Sequence, residues 1–108
     1  MPETISNFFQ RKDLYQNAIG SIVEIDTQED LTTDVDKVEL RVKKPGYTGY
    51  DEDVWEAQVA DITKIKYITK EYDLDVPGFY YIQAIAYYKN GSIIPLGSER
   101  INILKSLL

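Results

Sequence analysis

The chain has 108 residues, 44% hydrophobic and 28% charged, with a formal charge of −6; it is long enough for one core and has neither a disordered nor a collagen-like composition. It holds no cysteine and no histidine, which excludes thiol chemistry, disulfides and Cys-based metal sites, together with most zinc and imidazole-base chemistry. Its acidity argues against a duplex nucleic-acid partner, since such binding is driven by Lys and Arg releasing counterions from phosphates. No run approaches the roughly 20 apolar residues of a membrane helix, so no membrane partner is expected.

Met1-Pro2-Glu3-Thr4 lacks a basic head followed by an apolar core, so the expectation is a protein made and kept inside a cell. Residues 1–13 show no strand alternation. Ile5, Phe8 and Phe9 fall at a spacing that a short helix would place on one side, and they read as an N-terminal arm that either tucks onto its own domain or docks onto a neighbour. Two short strands are expected between residues 14 and 26, parted by Gly20, and residues 27–34 form a polar turn.

Residues 37–43 alternate most cleanly: Val38, Leu40 and Val42 on one face, Lys37, Glu39, Arg41 and Lys43 on the other. One face is core and the other wet. Lys44-Pro45-Gly46 sets a turn, residues 47–53 form a loop, and residues 54–59 return as a strand with Trp55, Ala57 and Val59 inward. Residues 64–69 alternate Ile65 and Tyr67 against Lys64, Lys66 and Ile68.

The chain is organised around residues 72–94, YDLDVPGFYYIQAIAYYKNGSII. Asp73, Asp75, Pro77 and Gly78 break it, and residues 79–88 then run as one long strand. Leu74 stands six residues before Tyr80 across the break, the spacing of the tyrosine corner in immunoglobulin-like sandwiches. That corner turns Tyr80, Ile82, Ala84 and Ala86 inward and leaves Tyr81, Gln83, Ile85 and Tyr87 outside. Asn90-Gly91 reads as a two-residue type I′ hairpin. The return strand runs over residues 92–94, is interrupted by Pro95 and Gly97, which mark an edge position or a bulge, and resumes over residues 99–103. The expected fold is therefore all-β: an immunoglobulin-like β-sandwich of about seven antiparallel strands over residues 14–104, with the arm at 1–13 and a leucine-rich tail at 105–108.

Acidic clusters are the candidates for a site: Asp30, Asp34 and Asp36; Asp51, Glu52 and Asp53; Asp73 and Asp75. None has the EF-hand spacing that calcium uses, and Asp is a usual residue of solvated turns. There is no Gly-rich phosphate loop, no Ser/His or Cys/His pair and no nucleophile elbow. The expectation is no enzyme, no catalytic or metal-binding residue and no cofactor. The sequon Asn90-Gly91-Ser92 is accounted for by the hairpin.

Nine tyrosines remain. Tyr81, Ile85 and Tyr87 on the outer face either pack on the stems of Lys37, Arg41 and Lys43 or form a partner surface, a role for which tyrosine is suited. With Phe8 and Phe9 of the arm and Leu107 and Leu108 of the tail they make the candidate interface; Leu74, Gly78, Tyr80, Asn90 and Gly91 are the structural corner and turn.

The order Glu29-Asp30-Leu31-Thr32, Val38-x-Leu40-x-Val42-x-Lys44-Pro45, Trp55-x-Ala57 and Asp73-Leu74-Asp75-Val76-Pro77-Gly78-x-Tyr80-x-x-Gln83-Ala84 resembles small immunoglobulin-like virion structural proteins of tailed bacteriophages, including the N-terminal modules of baseplate upper-type proteins. The likeness covers residues 20–103. It implies a non-enzymatic component of the virion, made in the host cytoplasm, either capsid-associated decoration or tail and baseplate. Such a protein docks to other virion proteins in multiple copies or as a homo-oligomer. The competing expectation is an immunoglobulin-like module that binds a glycan or a cell-surface protein through Tyr81, Tyr87 and the loop at 46–53.

Overall fold

A computed structural model describes residues 13–46 and 52–108. The expected arm, with Phe8 and Phe9, and most of the loop after Gly46 lie outside the described residues. Seven strands form: β1 (Leu14–Tyr15), β2 (Ile22–Asp26), β3 (Val35–Lys43), β4 (Asp53–Val59), β5 (Lys64–Ile68), β6 (Gly78–Tyr88) and β7 (Ile93–Leu104). The fold is an all-β, immunoglobulin-like sandwich. Its ladder runs β1-β7-β6-β3-β4-β5-β2 and curls into two layers because β4 serves both: its first residues pair with β3, its last two with β5. The front layer is β1-β7-β6-β3-β4, and β5 and β2 form the back.

The layers close on one core. Val38, Leu40 and Val42 of β3 meet Tyr80, Ile82, Ala84 and Ala86 of β6, Trp55 of β4, and Ile101 and Ile103 of β7; Val23, Ile25, Ile65 and Tyr67 cover them from the back. Small residues at 84 and 86 opposite Leu40 and Val38 let the back layer approach closely. Each buried aliphatic side chain contributes about 1.5–3 kcal/mol, so this alternation dominates the fold. Val59 departs from the expected pattern: at the end of β4, where pairing passes from β3 to β5, it is exposed.

Two expectations need correction. The strands are not all antiparallel, because β1 pairs with β7 in parallel. Asn17 (φ 66°) and Gly20 (φ 89°) turn the chain out of the front layer and deliver it to β2 in the back, which leaves β1 running alongside β7. The β6–β7 hairpin is also not the expected type I′ turn. Among its loop residues only Gly91 has positive φ, and the Gly91 amide donates to the Tyr88 carbonyl at 2.9 Å. The loop is thus Lys89-Asn90-Gly91, a type I turn closed by a left-handed glycine, the usual three-residue alternative. Asn90 accepts the Ser92 amide at 2.9 Å, and the Lys89 amide donates to Asp34 O at 2.8 Å. A local side-chain bond and a neighbouring loop thus select the longer turn.

Pro95 and Gly97 do not divide β7. The register passes from Gln83↔Ser98 to Ile85↔Pro95, so β7 carries one extra residue as a bulge. A Cβ added at Gly97 would lie 3.6 Å from Asp26 O, which locates the approach of β7 to β2 across the layers.

At the corner the Tyr80 hydroxyl donates to Val76 O at 2.6 Å and accepts from the Val76 amide at 3.2 Å, above a buried Leu74. Burial pushes the Tyr80 hydroxyl above its ordinary pKa, consistent with a neutral donor. The corner fixes the loop that supplies Asp73 and Asp75 to the end of the sandwich.

Candidate protein-binding face

The outer surface of the front layer is ordered by register. Four rows cross β3, β6 and β7: Lys43, Tyr81 and Arg100; Arg41, Gln83 and Ser98; Glu39, Ile85 and Pro95; Lys37, Tyr87 and Ile93. Neighbours in a row have Cβ atoms about 5 Å apart, close enough for their side chains to interlock.

The centre of this face is Glu39. It stands on the solvent side of β3 yet is only 5% exposed, because Tyr87 and Arg41 fold over it. The Tyr87 hydroxyl donates to its Oε1 at 2.5 Å and Arg41 Nε donates to the same oxygen at 2.7 Å. Arg41 reaches Glu52 through Nη1 at 3.1 Å and Tyr87 Oη through Nη2 at 3.2 Å. Lys37 Nζ caps the Tyr87 ring 4.6 Å from its centroid. Burial alone would push the Glu39 carboxyl up, but the Tyr87 and Arg41 hydrogen bonds and the Arg41 and Lys37 charges outweigh it, so the group sits below the ordinary carboxylate range. Hydrogen bonds to Glu39, Tyr87 and Glu52 hold the Arg41 guanidinium protonated more firmly than usual. The arrangement is a fixed polar network on a sheet surface.

Beside the network lies a groove of about 520 Å³, lined among others by Arg41, Lys43, Glu52, Tyr81, Gln83 and Arg100. Tyr81 is 59% exposed, and the Arg100 guanidinium stacks 4.4 Å over the Phe79 ring.

A second polar cluster closes the end of the sandwich beneath this groove. Lys44 is buried, its side chain 4% exposed, and its Nζ pairs with Asp75 at 2.8 Å and Asp53 at 3.1 Å and donates to Tyr72 O at 2.9 Å. Burial works against the ammonium, but its bonds to Asp75 and Asp53 prevail and raise its pKa. Next to it the Tyr67 hydroxyl donates to Asp73 at 2.5 Å while its ring stacks on Trp55 at 4.7 Å. Burial and that carboxylate push the Tyr67 hydroxyl well above its ordinary pKa. The ammonium of Lys44 thus occupies the centre that a cation would need among these acids.

Elsewhere the acidic residues serve turns: Asp30 accepts the Thr32 amide at 2.7 Å and Asp26 accepts the Gln28 amide at 2.9 Å. Among the described residues no group of three or more metal-ligating side chains could hold an ion, and no helix is long and apolar enough to cross a membrane.

Among the described residues, those expected at the interface are not brought together. Tyr81 and Tyr87 stand six residues apart on β6, a separation of about 20 Å along a strand, and Tyr87 is tied down by Glu39. Ile85 is half-buried between them. Leu107 and Leu108 are exposed on a tail anchored at the β1 end, where Asn17 Nδ2 donates to Leu108 O at 2.9 Å. The packing expected of the tyrosines holds for Tyr87, which lies against Lys37 and Arg41, while Tyr81 is exposed. Alternation alone missed Glu39, Arg41 and Lys44 as organising residues. It places Glu39 in water and Lys44 in a turn, and the register with β6 is needed to see Tyr87 close over the carboxylate.

No family model matches the chain, and no curated protein matches it. Among solved structures the chain is similar to CopC from Methylosinus trichosporium OB3b, at 12% identity over 92% of this chain and 91% of that chain, with a TM-score of 0.49. This finding corrects the expectation of a tailed-phage virion component: the likeness falls on CopC rather than on a bacteriophage capsid, tail or baseplate protein, so the assignment is withdrawn.

Proposed function

We propose that this chain is a non-enzymatic protein-binding module whose partner lies on the outer face of the β4-β3-β6-β7 sheet. The observation that supports it is the Glu39–Tyr87–Arg41–Glu52 network. A sheet surface that merely faces water has no need of a buried carboxylate held by two ordered side chains, whereas a surface fixed in advance lowers the side-chain ordering cost of association, about 0.5–1.5 kcal/mol for each immobilised side chain. Tyr and Arg are also the residues that most often anchor interfaces. A glycan platform is disfavoured because it needs adjacent rings with open faces: Tyr81 and Tyr87 lie about 20 Å apart with Tyr87 capped by Lys37, and Phe79, the exposed ring next to Tyr81, carries the Arg100 guanidinium over its face.

The test is photo-crosslinking in the cells that make the protein, with a benzophenone side chain at position 81 on the front face or at position 24 on the back. Trapping of one defined polypeptide from position 81 and not from position 24 is the expected result. Equal trapping from both, or none from 81, would contradict the proposal.

A further inference from the structure

The front face is chemically uneven. Lys43, Tyr81 and Arg100 stand side by side across β3, β6 and β7, with Arg41 in the next row, so three of the twelve Lys and Arg residues of a chain of charge −6 meet at one groove. Their states differ. Arg41 is neutralised by Glu39 and Glu52, whereas no ion pair within the described residues engages Lys43 or Arg100. Arg100 is not free to wander, because it lies flat on Phe79, an arrangement that keeps the guanidinium edge available to an acceptor. Both rings beside the two cations, Phe79 and Tyr81, are exposed.

Resting on the reading of this face as protein-binding, we propose that its partner contributes an acidic peptide segment: carboxylates pair with Lys43 and Arg100 while an apolar side chain packs on Tyr81. Glu52, already paired with Arg41, and Glu99 also line the groove, which leaves Lys43 and Arg100 as the cations that one or two carboxylates of a partner match. A dense polyanion such as nucleic acid or a highly sulfated glycan would meet those acids and the chain's overall negative charge. An exposed ring between the cations, Tyr81, suits a peptide in which acidic and apolar residues alternate.

The experiment titrates the full chain, observed through its backbone amide spectrum, with a short blocked peptide alternating Glu and Leu, a Gln/Leu peptide of equal length, and a sulfated oligosaccharide. The Glu/Leu peptide is expected to shift the amides of Lys43, Tyr81 and Arg100, and to bind more weakly as salt is raised. The double variant K43E/R100E should lose at least about tenfold in affinity by reversing both charge contacts. K64E/K66E, which makes the same charge change on the back layer, should bind as wild type. Equal binding of the Gln/Leu peptide would overturn the acidic preference and leave the protein-binding reading standing. Binding of the oligosaccharide alone would overturn both. With no peptide bound at this row the acidic proposal fails, and crosslinking from position 81 then decides whether the broader reading survives.

Discussion

Replacing Asp53 and Asp75 together by asparagine is expected to destabilise the protein by about 3 kcal/mol, within the range found when a buried charge loses its partner. Replacing Lys44 by methionine should cost only about 1 kcal/mol, because methionine fills the site of the buried stem. The asymmetry follows from exposure. The Lys44 side chain is 4% exposed, while those of Asp53 and Asp75 are 37% and 41% exposed. Carboxylates that lose the ammonium can turn to water, but an ammonium that loses both carboxylates keeps only neutral acceptors, the Tyr72 carbonyl and the asparagine amide oxygens, with no opposite charge beside it. Net charge argues the other way: the asparagine variant sheds two negative charges from a chain of −6, and the methionine variant adds to the imbalance. Local desolvation should win, since long-range terms between exposed charges are screened beyond about 8 Å at physiological ionic strength. Urea denaturation at neutral pH reads the order directly. A methionine variant less stable than the double asparagine variant would show that net charge, not the buried ammonium, governs this end of the sandwich.

Gly78→Ala is expected to cost a similar amount, about 3 kcal/mol, by a different route. Gly78 opens β6 at φ +121°, well beyond the left-handed helical well and in a region that L-residues rarely adopt, at a cost of roughly 1–3 kcal/mol. A Cβ there would also lie 2.8 Å from Pro45 Cγ, and the proline ring has little room to give, which adds about 1–3 kcal/mol of overpacking. Gly46→Ala separates the two terms: Gly46 also has positive φ, +84°, but a Cβ would meet nothing within 4 Å. It should therefore lose only the backbone part, about 1 kcal/mol. Equal losses for the two variants would remove the Pro45 contact from the account of the corner.

The sandwich was legible in the sequence wherever a side chain's fate depends on period-two alternation. Val38, Leu40 and Val42, and Tyr80, Ile82, Ala84 and Ala86, fall inside as that pattern requires, and Leu74 with Tyr80 marks the corner. Features set by long-range placement were not legible. The parallel β1–β7 pair depends on where the turn at Asn17–Gly20 delivers the chain, and the form of the hairpin depends on Asp34, which lies far from it in sequence. The same holds for the front face. Lys37, Glu39, Arg41 and Lys43 look alike in the pattern, yet one is buried, one is the hub of a network and two are exposed, because Tyr87 from β6 and Glu52 from just before β4 select among them.

The acid titration of the Glu39 carboxyl, followed by carbon NMR in the free protein, tests most directly whether this face is fixed before a partner arrives. Burial by itself raises a carboxyl pKa, whereas hydrogen bonds and positive neighbours lower it, so the direction of the shift reports which prevails. The expected value lies below the ordinary range for glutamate. By linkage the network then contributes stability that is fully present above the unfolded-state pKa near 4.3 and is lost as pH falls through the lower folded value. A Glu39 that titrates at or above the ordinary value would mean that Tyr87 and Arg41 do not hold it in solution, and the face would then not be preorganised.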